Sequence, residues 1–193
     1  MSLQLLNKKM ILKNTSKGKL IIFQTINSTN QYILEKINIL KSGDVCIAEQ
    51  QTNGRGKYGK IWISSFGKDL CLSIFWKFKK KIKKIINLYI ILSLIIKKIL
   101  YKLGIRNIQI KFPNDLYINN KKFAGILIEN YYNITQNTIN TVIGIGINVN
   151  IKNNSKNYFQ KNWINLQDTG VNINRNILTI HLINALRKTL NKY

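Results

Sequence analysis

The run Thr141–Asn150, reading TVIGIGINVN, constrains the fold more than any other part of the chain. Strict alternation marks it as a strand, with Ile143, Ile145, Ile147 and Val149 on one face. The opposite face carries Gly144, Gly146 and Asn148, so it is stripped of side chains twice in succession. Such a face packs little of its own. It lets either a flat ligand or another element lie against the backbone, and the polar residues read below favour a ligand.

Further strands come from Lys19–Thr25, Asp44–Gln50 and Asp69–Phe78, then from Asn107–Phe112, Leu116–Ile118 and Lys121–Asn130. In Asn107–Phe112, Ile108, Ile110 and Phe112 alternate with Gln109 and Lys111, which predicts that Lys111 projects away from the core. Pro113 halts that ladder, Asn114–Asp115 turn the chain, and Asn119–Asn120 read as a hairpin turn. Ser28–Thr29–Asn30 open a helix running to about Ile39, with Ser28 or Thr29 as N-cap. Those hydroxyls can serve a ligand as well as the helix terminus. Ile82–Leu103 is apolar on almost every face and reads as a buried central helix. Its uninterrupted apolar core is shorter than the roughly 18–20 residues a bilayer crossing needs. Arg175–Tyr193 has helical spacing, Ile151–Gln160 is polar and asparagine-rich, and Met1–Gly18 reads as a lead-in to one domain over 19–193.

Between two strands lies QQTNGRGKYGKIW, from Gln50 to Trp62. Gly54, Gly56 and Gly59 interleave with Arg55, Lys57 and Lys60. Glycine lets successive N–H groups turn toward one point, and the cations add charge aimed the same way. A connection this long is often functional. By spacing alone it is equally an anion cradle or a basic loop touching only solvent.

The formal charge of +24 invites a nucleic-acid reading through counterion release. Lys, Ile and Asn dominate the whole chain, however, Arg is scarce, and the lysines are scattered, as A/T-biased codon usage alone produces. The charge attracts anionic small molecules or an acidic protein without specifying DNA. Cys46 and Cys71 lack metal spacing and read as buried thiols of a reducing, cytoplasmic compartment. The one histidine, His181, has no catalytic partner in the pattern, which argues against a His-based nucleophilic mechanism.

Five motifs in order resemble the catalytic domain of biotin–protein ligases: STN at Ser28, QQTNGRGKYGKIW, KFPNDLY from Lys111, KKFAGILIE from Lys121 and GIGIN from Gly144. The resemblance covers about Leu20–Tyr193. It implies an α+β fold of class II synthetase-like type, with a central mixed β-sheet, helices packed on one face and the ligand site on the other. It also implies biotin and ATP as substrates with Mg²⁺, a biotinyl-5′-AMP intermediate, and transfer to a lysine of the biotin carboxyl carrier protein of acetyl-CoA carboxylase. Motif by motif, it implies that Lys122 sits at the reacting carboxylate and α-phosphate, while Arg55, Gly56 and Lys57 fold over the adenylate. Ser28, Thr29, Asn30 and Gln51 then read the ureido ring, and Gly54, Trp62 and Gly125 complete the biotin pocket. Lys111, Asn114 and Asp115 face the phosphates, with Asp115 the candidate metal ligand. Gly144, Gly146 and Asn148 lie along the nucleotide, and Trp163 caps adenine. Three positions depart from the family pattern: Lys57 replaces a second Arg, Phe112 replaces Trp, and Cys71 replaces an aromatic. Neither an N-terminal helix-turn-helix nor a C-terminal small β-barrel is expected from these residues, which points to a monofunctional enzyme without specific DNA binding or a membrane anchor. A homodimer is left open. A lipoate–protein ligase is the nearest rival, and a basic nucleic-acid-binding module is the rival of another class.

Overall fold

The computed structural model describes residues 5–79, 87–151 and 162–192. In chain order the elements are α1 (Lys8–Lys13), β1 (Leu20–Ile26), α2 (Thr29–Glu35), β2 (Val45–Gln51), β3 (Gly54–Arg55), β4 (Ile61–Trp62) and β5 (Asp69–Lys79). They continue with α3 (Leu88–Lys102), β6 (Ile108–Lys111), β7 (Asp115–Ile118), β8 (Lys121–Asn133), β9 (Thr138–Asn148) and α4 (Arg175–Leu190). Seven strands form one sheet in the order β1-β2-β5-β9-β8-β7-β6, and β3 pairs with β4 as a separate ribbon. β1 and β2 run parallel, joined by α2, and the remaining pairings are antiparallel. The sheet is mixed and the fold α+β, as the motifs imply.

Alternation on the central strands separates two faces. Ile143, Ile145 and Ile147 join Leu70, Leu72, Ile74 and Ile126 in the main core, which also holds apolar side chains of α3 and α4. The other face carries three cross-strand rows: Cys71–Gly146–Gly125, Ser73–Gly144–Leu127 and Phe75–Val142–Glu129. Only its far end is apolar. There Ile33 of α2 packs with Cys46, Phe75 and Val142. One face is thus buried under helices, while the middle of the other stays open between α2 and the β3–β4 ribbon.

Several expectations shift. The helix from Thr29 ends at Glu35 rather than near Ile39, because Lys36 leaves helical geometry and Ile39, 71% exposed, has nothing to pack on. α3 is a surface helix rather than a central one. Leu88, Leu92, Ile96 and Leu100 are buried while Leu94 and Tyr101 are more than half exposed. The part of that run from Ile82 to Ile86 lies outside the described residues, as does most of Ile151–Gln160. No helix among the described residues is long and apolar enough to cross a membrane. β6 stops at Lys111, so Phe112 is exposed rather than part of the core. The Asn119–Asn120 turn is as expected, with φ of 51° and 59°. The lead-in contributes to the same core: Ile11 is fully buried, and the Leu6 and Asn7 amides donate to Glu49 (2.6 Å) and Asn176 (2.7 Å).

Candidate active site

The open part of the sheet face is a hollow of about 470 Å³, solvent at its mouth included. Its lining includes Ser28, Thr29, Asn30, Gln51, Arg55, Gly56, Lys57, Trp62, Asn114, Lys122, Gly125, Gly144 and Gly146, so most of the motif residues meet in one place.

At one end the α2 N-terminus meets β2 and β5. Ser28 caps the helix, accepting from the Gln31 amide. Thr29 donates through both its N–H (2.8 Å) and its hydroxyl (3.0 Å) to Gln51 Oε1, which turns the Gln51 NH₂ away from it. Asn30 Nδ2 donates to Glu129 Oε2 at 2.8 Å, so its Oδ1 faces inward as an acceptor. Ser73 Oγ stands between Thr29 Oγ1 (2.7 Å) and Asn30 Oδ1 (2.5 Å). Gln51, Thr29, Ser73 and Asn30 therefore form a row of oxygens with three short O···O separations and only two hydroxyl protons to fill them. This wall has surplus lone pairs and can accept further hydrogen bonds.

Glycine decides what covers the floor. A Cβ on Gly144 would stand 2.4 Å from Asn30 Oδ1, and one on Gly146 would stand 2.4 Å from the Trp62 ring. The stripped face thus admits Asn30 and Trp62, the close-approach alternative, and those two side chains in turn line the hollow. Gly54 acts differently: a Cβ there would meet the Trp62 carbonyl at 2.3 Å, so it holds the β3–β4 ribbon closed instead of lining the cavity. The glycine-rich stretch is accordingly a ribbon and 3₁₀ turn, with Tyr58 at φ 58° and Gly56 N–H bonded to Lys60 O (2.6 Å). Cys71 lies beside Gly146 in its row, where the ring of Trp62 leaves room only for a small side chain. Burial pushes its thiol up to about 12, as it does that of Cys46, so neither is a nucleophile.

The cations come from the ribbon and from β8. Arg55 Nη2 reaches Glu129 Oε2 at 2.6 Å, while its buried Nε has no hydrogen-bond partner. The Lys57 ammonium lies 4.8 Å from the Tyr58 ring centre and 5.2 Å from that of Tyr89 on α3, whose hydroxyl accepts from the Ile128 amide. Lys122 Nζ pairs with Asp115 Oδ1 at 2.7 Å and stands 5.9 Å from the Trp62 ring centre. Asn114 braces the adjoining turn, its Nδ2 donating to Ile126 O (3.1 Å) and its carbonyl accepting from the Ile126 amide (2.9 Å).

Five of the expected residues do not line the hollow: Gly54, Lys111, Asp115, Asn148 and Trp163. Lys111 ends the outermost strand, with β7 between it and β8, and its ammonium lies 5.3 Å from the Tyr117 ring centre. Asp115 serves Lys122. Asn148 lies beyond Gly146 on the same face, opposite Asp69. Trp163 flanks Lys122 on β8, where Lys122 N–H donates to Asn162 O (2.8 Å) and Ile164 N–H to Lys122 O (3.0 Å). Asp115 and Glu129, set behind the lining, are each engaged by a cation that does line the hollow, and no cluster of three metal-ligating side chains occurs among the described residues. The donor set does not fit a protein-held Mg²⁺. Glu129, Ser73 and Tyr89 escaped the sequence reading. Glu129 was within reach, since Gly125, Leu127 and Glu129 share one strand face by simple alternation.

The fold and this hollow set an acceptor-rich wall opposite a group of cations, an arrangement suited to a small acid. The chain belongs to the biotin/lipoate A/B protein ligase family, whose profile matches residues 22–148. It is 42% identical over 188 residues to the bifunctional ligase/repressor BirA of Escherichia coli, covering 97% of this chain and 58% of that protein, and 38% identical with the same coverage to BirA of Salmonella typhimurium. The chain thus spans somewhat over half the length of these curated relatives. Among solved structures it resembles the biotin protein ligase of Aquifex aeolicus in complex with biotin and ATP, with a TM-score of 0.72, 25% identity, and coverage of 90% of this chain and 71% of that one. A T. acidophilum protein with bound lipoic acid shares the fold alone, with a TM-score of 0.62, 12% identity, and coverage of 91% and 87%. The fold by itself does not choose the acid.

Proposed function

We propose that this domain is a biotin–protein ligase. The biotin carboxylate attacks the α-phosphorus of ATP, forming biotinyl-5′-AMP and releasing pyrophosphate. A lysine amine of a biotin carboxyl carrier protein, that of acetyl-CoA carboxylase, then attacks the acyl carbon, and AMP leaves as the amine gives up its proton. ATP enters as its Mg²⁺ complex, the metal arriving with the substrate.

The observation that carries this reading is the polarity of the hollow. Its α2 end is a row of oxygens short of protons, which suits the two N–H groups of a ureido ring, and its other end is cationic. Ser28, Thr29, Asn30 and Gln51 hold the ring, with Trp62 and Gly125 along the apolar length. Arg55, Gly56, Lys57 and Lys122 hold the carboxylate and α-phosphate, two anions that repel one another without fixed cations. Asp115 aims Lys122. Gly144 and Gly146 make room for Asn30 and Trp62, Asn148 borders the nucleotide path, Lys111 and Asn114 lie toward the outgoing phosphates, and Trp163, beside Lys122, covers adenine. Lipoate is the weaker alternative: its dithiolane has no N–H to donate, so it would leave the oxygen row unfilled.

The test is a single reaction. Purified chain, MgATP, labelled biotin and an apo carrier domain should raise the mass of the carrier by one biotinyl group at one lysine. Lipoate in place of biotin should give no AMP. AMP formation with lipoate alone would overturn the assignment.

A further inference from the structure

Resting on that reading, we propose that Glu129 is the positioning residue that sets both ends of the site, orienting Arg55 at the cationic end and Asn30 at the ureido end. It is the one carboxylate in the three cross-strand rows of the floor, carried at the far end of β8 opposite Val142. A single oxygen, Oε2, accepts from Arg55 Nη2 at 2.6 Å and from Asn30 Nδ2 at 2.8 Å. Those donors belong to different elements, the ribbon and α2, so one carboxylate ties the cover of the hollow to its end wall. Its side chain is only 20% exposed and that of Arg55 35%, which separates this pair from ordinary surface bridges.

Two consequences follow from the geometry. Arg55 spends one nitrogen on Glu129 and keeps its buried Nε unpartnered, so the rest of the guanidinium fork remains available to an anion in the hollow. Asn30 is locked with its NH₂ outward, which is what turns Oδ1 toward Ser73 and completes the oxygen row. Without Glu129 the amide is free to rotate by half a turn, replacing an acceptor by a donor where ligand N–H groups belong. Glu129 touches neither reacting atom; it acts through the two residues it holds.

The experiment measures dissociation of labelled biotinyl-AMP from wild type, E129Q, E129A, R55A and the E129A/R55A double variant, with kcat and KM for biotin alongside. E129A should release the intermediate about tenfold faster or more, the scale of one lost charge-assisted hydrogen bond. R55A should do at least as much, and the double variant should be no faster than R55A by more than the Asn30 contribution, read separately from KM for biotin. E129Q keeps an acceptor for Asn30 but no charge for Arg55, so it should restore KM while release stays fast. E129Q also carries the test if E129A fails to fold. Wild-type release from E129Q and E129A, or fully additive effects of Glu129 and Arg55 on release, overturns the inference while leaving the ligase reading intact. Wild type that forms no adenylate overturns both.

Discussion

Replacing Gly146 by alanine tests whether the bare sheet face exists to seat Trp62. The added Cβ would stand 2.4 Å from Trp62 Cε2 and 2.5 Å from Cζ2, where ordinary van der Waals contact begins near 3.4 Å. The ring must retreat by about 1 Å, and on the β8 side it already overlies Gly125, where there is no side chain to give way. The remaining direction is away from the floor, which lifts the β3–β4 ribbon carrying Arg55. Overpacking of this kind costs about 1–3 kcal/mol, or roughly 5- to 150-fold in an equilibrium constant. Because Trp62 sits on a two-residue strand outside the main core, most of that cost should appear in biotin affinity rather than in melting temperature. Titration calorimetry with biotin measures it directly. In a Trp62→Ala background the clash is gone, so Gly146→Ala should then have almost no further effect. An undiminished loss in that background would refute the packing argument.

Lys122→Gln should abolish most of the adenylation rate, about 10²–10³-fold if the ammonium stabilises charge developing between the two anions. Pyrophosphate release at saturating biotin measures this, and a rate within a few-fold of wild type would remove Lys122 from the chemistry. Lys57→Arg should slow release of bound biotinyl-AMP, since a guanidinium makes the bidentate phosphate contact that an ammonium cannot; chase experiments with unlabelled biotin and ATP read it, and unchanged release contradicts it. Asp69, fully buried at the start of β5, has a carboxyl raised to about 7, first by burial and against the Ser65 and Val149 amides and Arg175. Between about pH 4 and 7 the folded chain therefore holds a proton that the unfolded chain has lost, so stability should fall as pH rises across that window, by roughly 4 kcal/mol at most. Asp69→Asn should flatten this slope, seen by denaturant titration at several pH values.

What could be read from sequence follows the period of the side chains. The Thr141–Asn150 alternation correctly separated Ile143, Ile145 and Ile147 from Gly144 and Gly146, because a two-residue repeat leaves no freedom once one face is apolar. The hairpin at Asn119–Asn120 was legible because asparagine tolerates the left-handed backbone that such turns need. Helix boundaries were not, and α3 shows why. Its run Leu88–Lys102 is so rich in Ile and Leu that composition masks which side meets the sheet, so its half-exposed Leu94 and Tyr101 carried no signal. Motif order placed Arg55, Lys122 and the α2 hydroxyls together, yet it also drew in Lys111, which sits on the outermost strand. Adjacency along KFPND says nothing about how many strands separate two residues in space. Ser73 was invisible for the opposite reason: its role exists only through Thr29 and Asn30, distant in sequence and joined to it by hydrogen bonds.

The same pairings explain how a site can be strongly cationic without depending on the chain's overall charge of +24. A field summed from scattered lysines is screened within about 8 Å at physiological ionic strength, and it has no direction at the scale of one bond. Arg55 and Lys122 are instead each held within 2.7 Å of a carboxylate, Glu129 and Asp115. Such pairing lowers the net charge of the hollow, which at first sight weakens its pull on anions. It also removes the mutual repulsion that would splay the cations apart, and it fixes where each one points. On the proposed reaction, the donors that these pairs leave spare are held in place before a carboxylate and a phosphate arrive, so little reorganisation would remain to be done. Surplus lysine elsewhere supplies attraction at long range; the acidic residues, few as they are, supply the geometry.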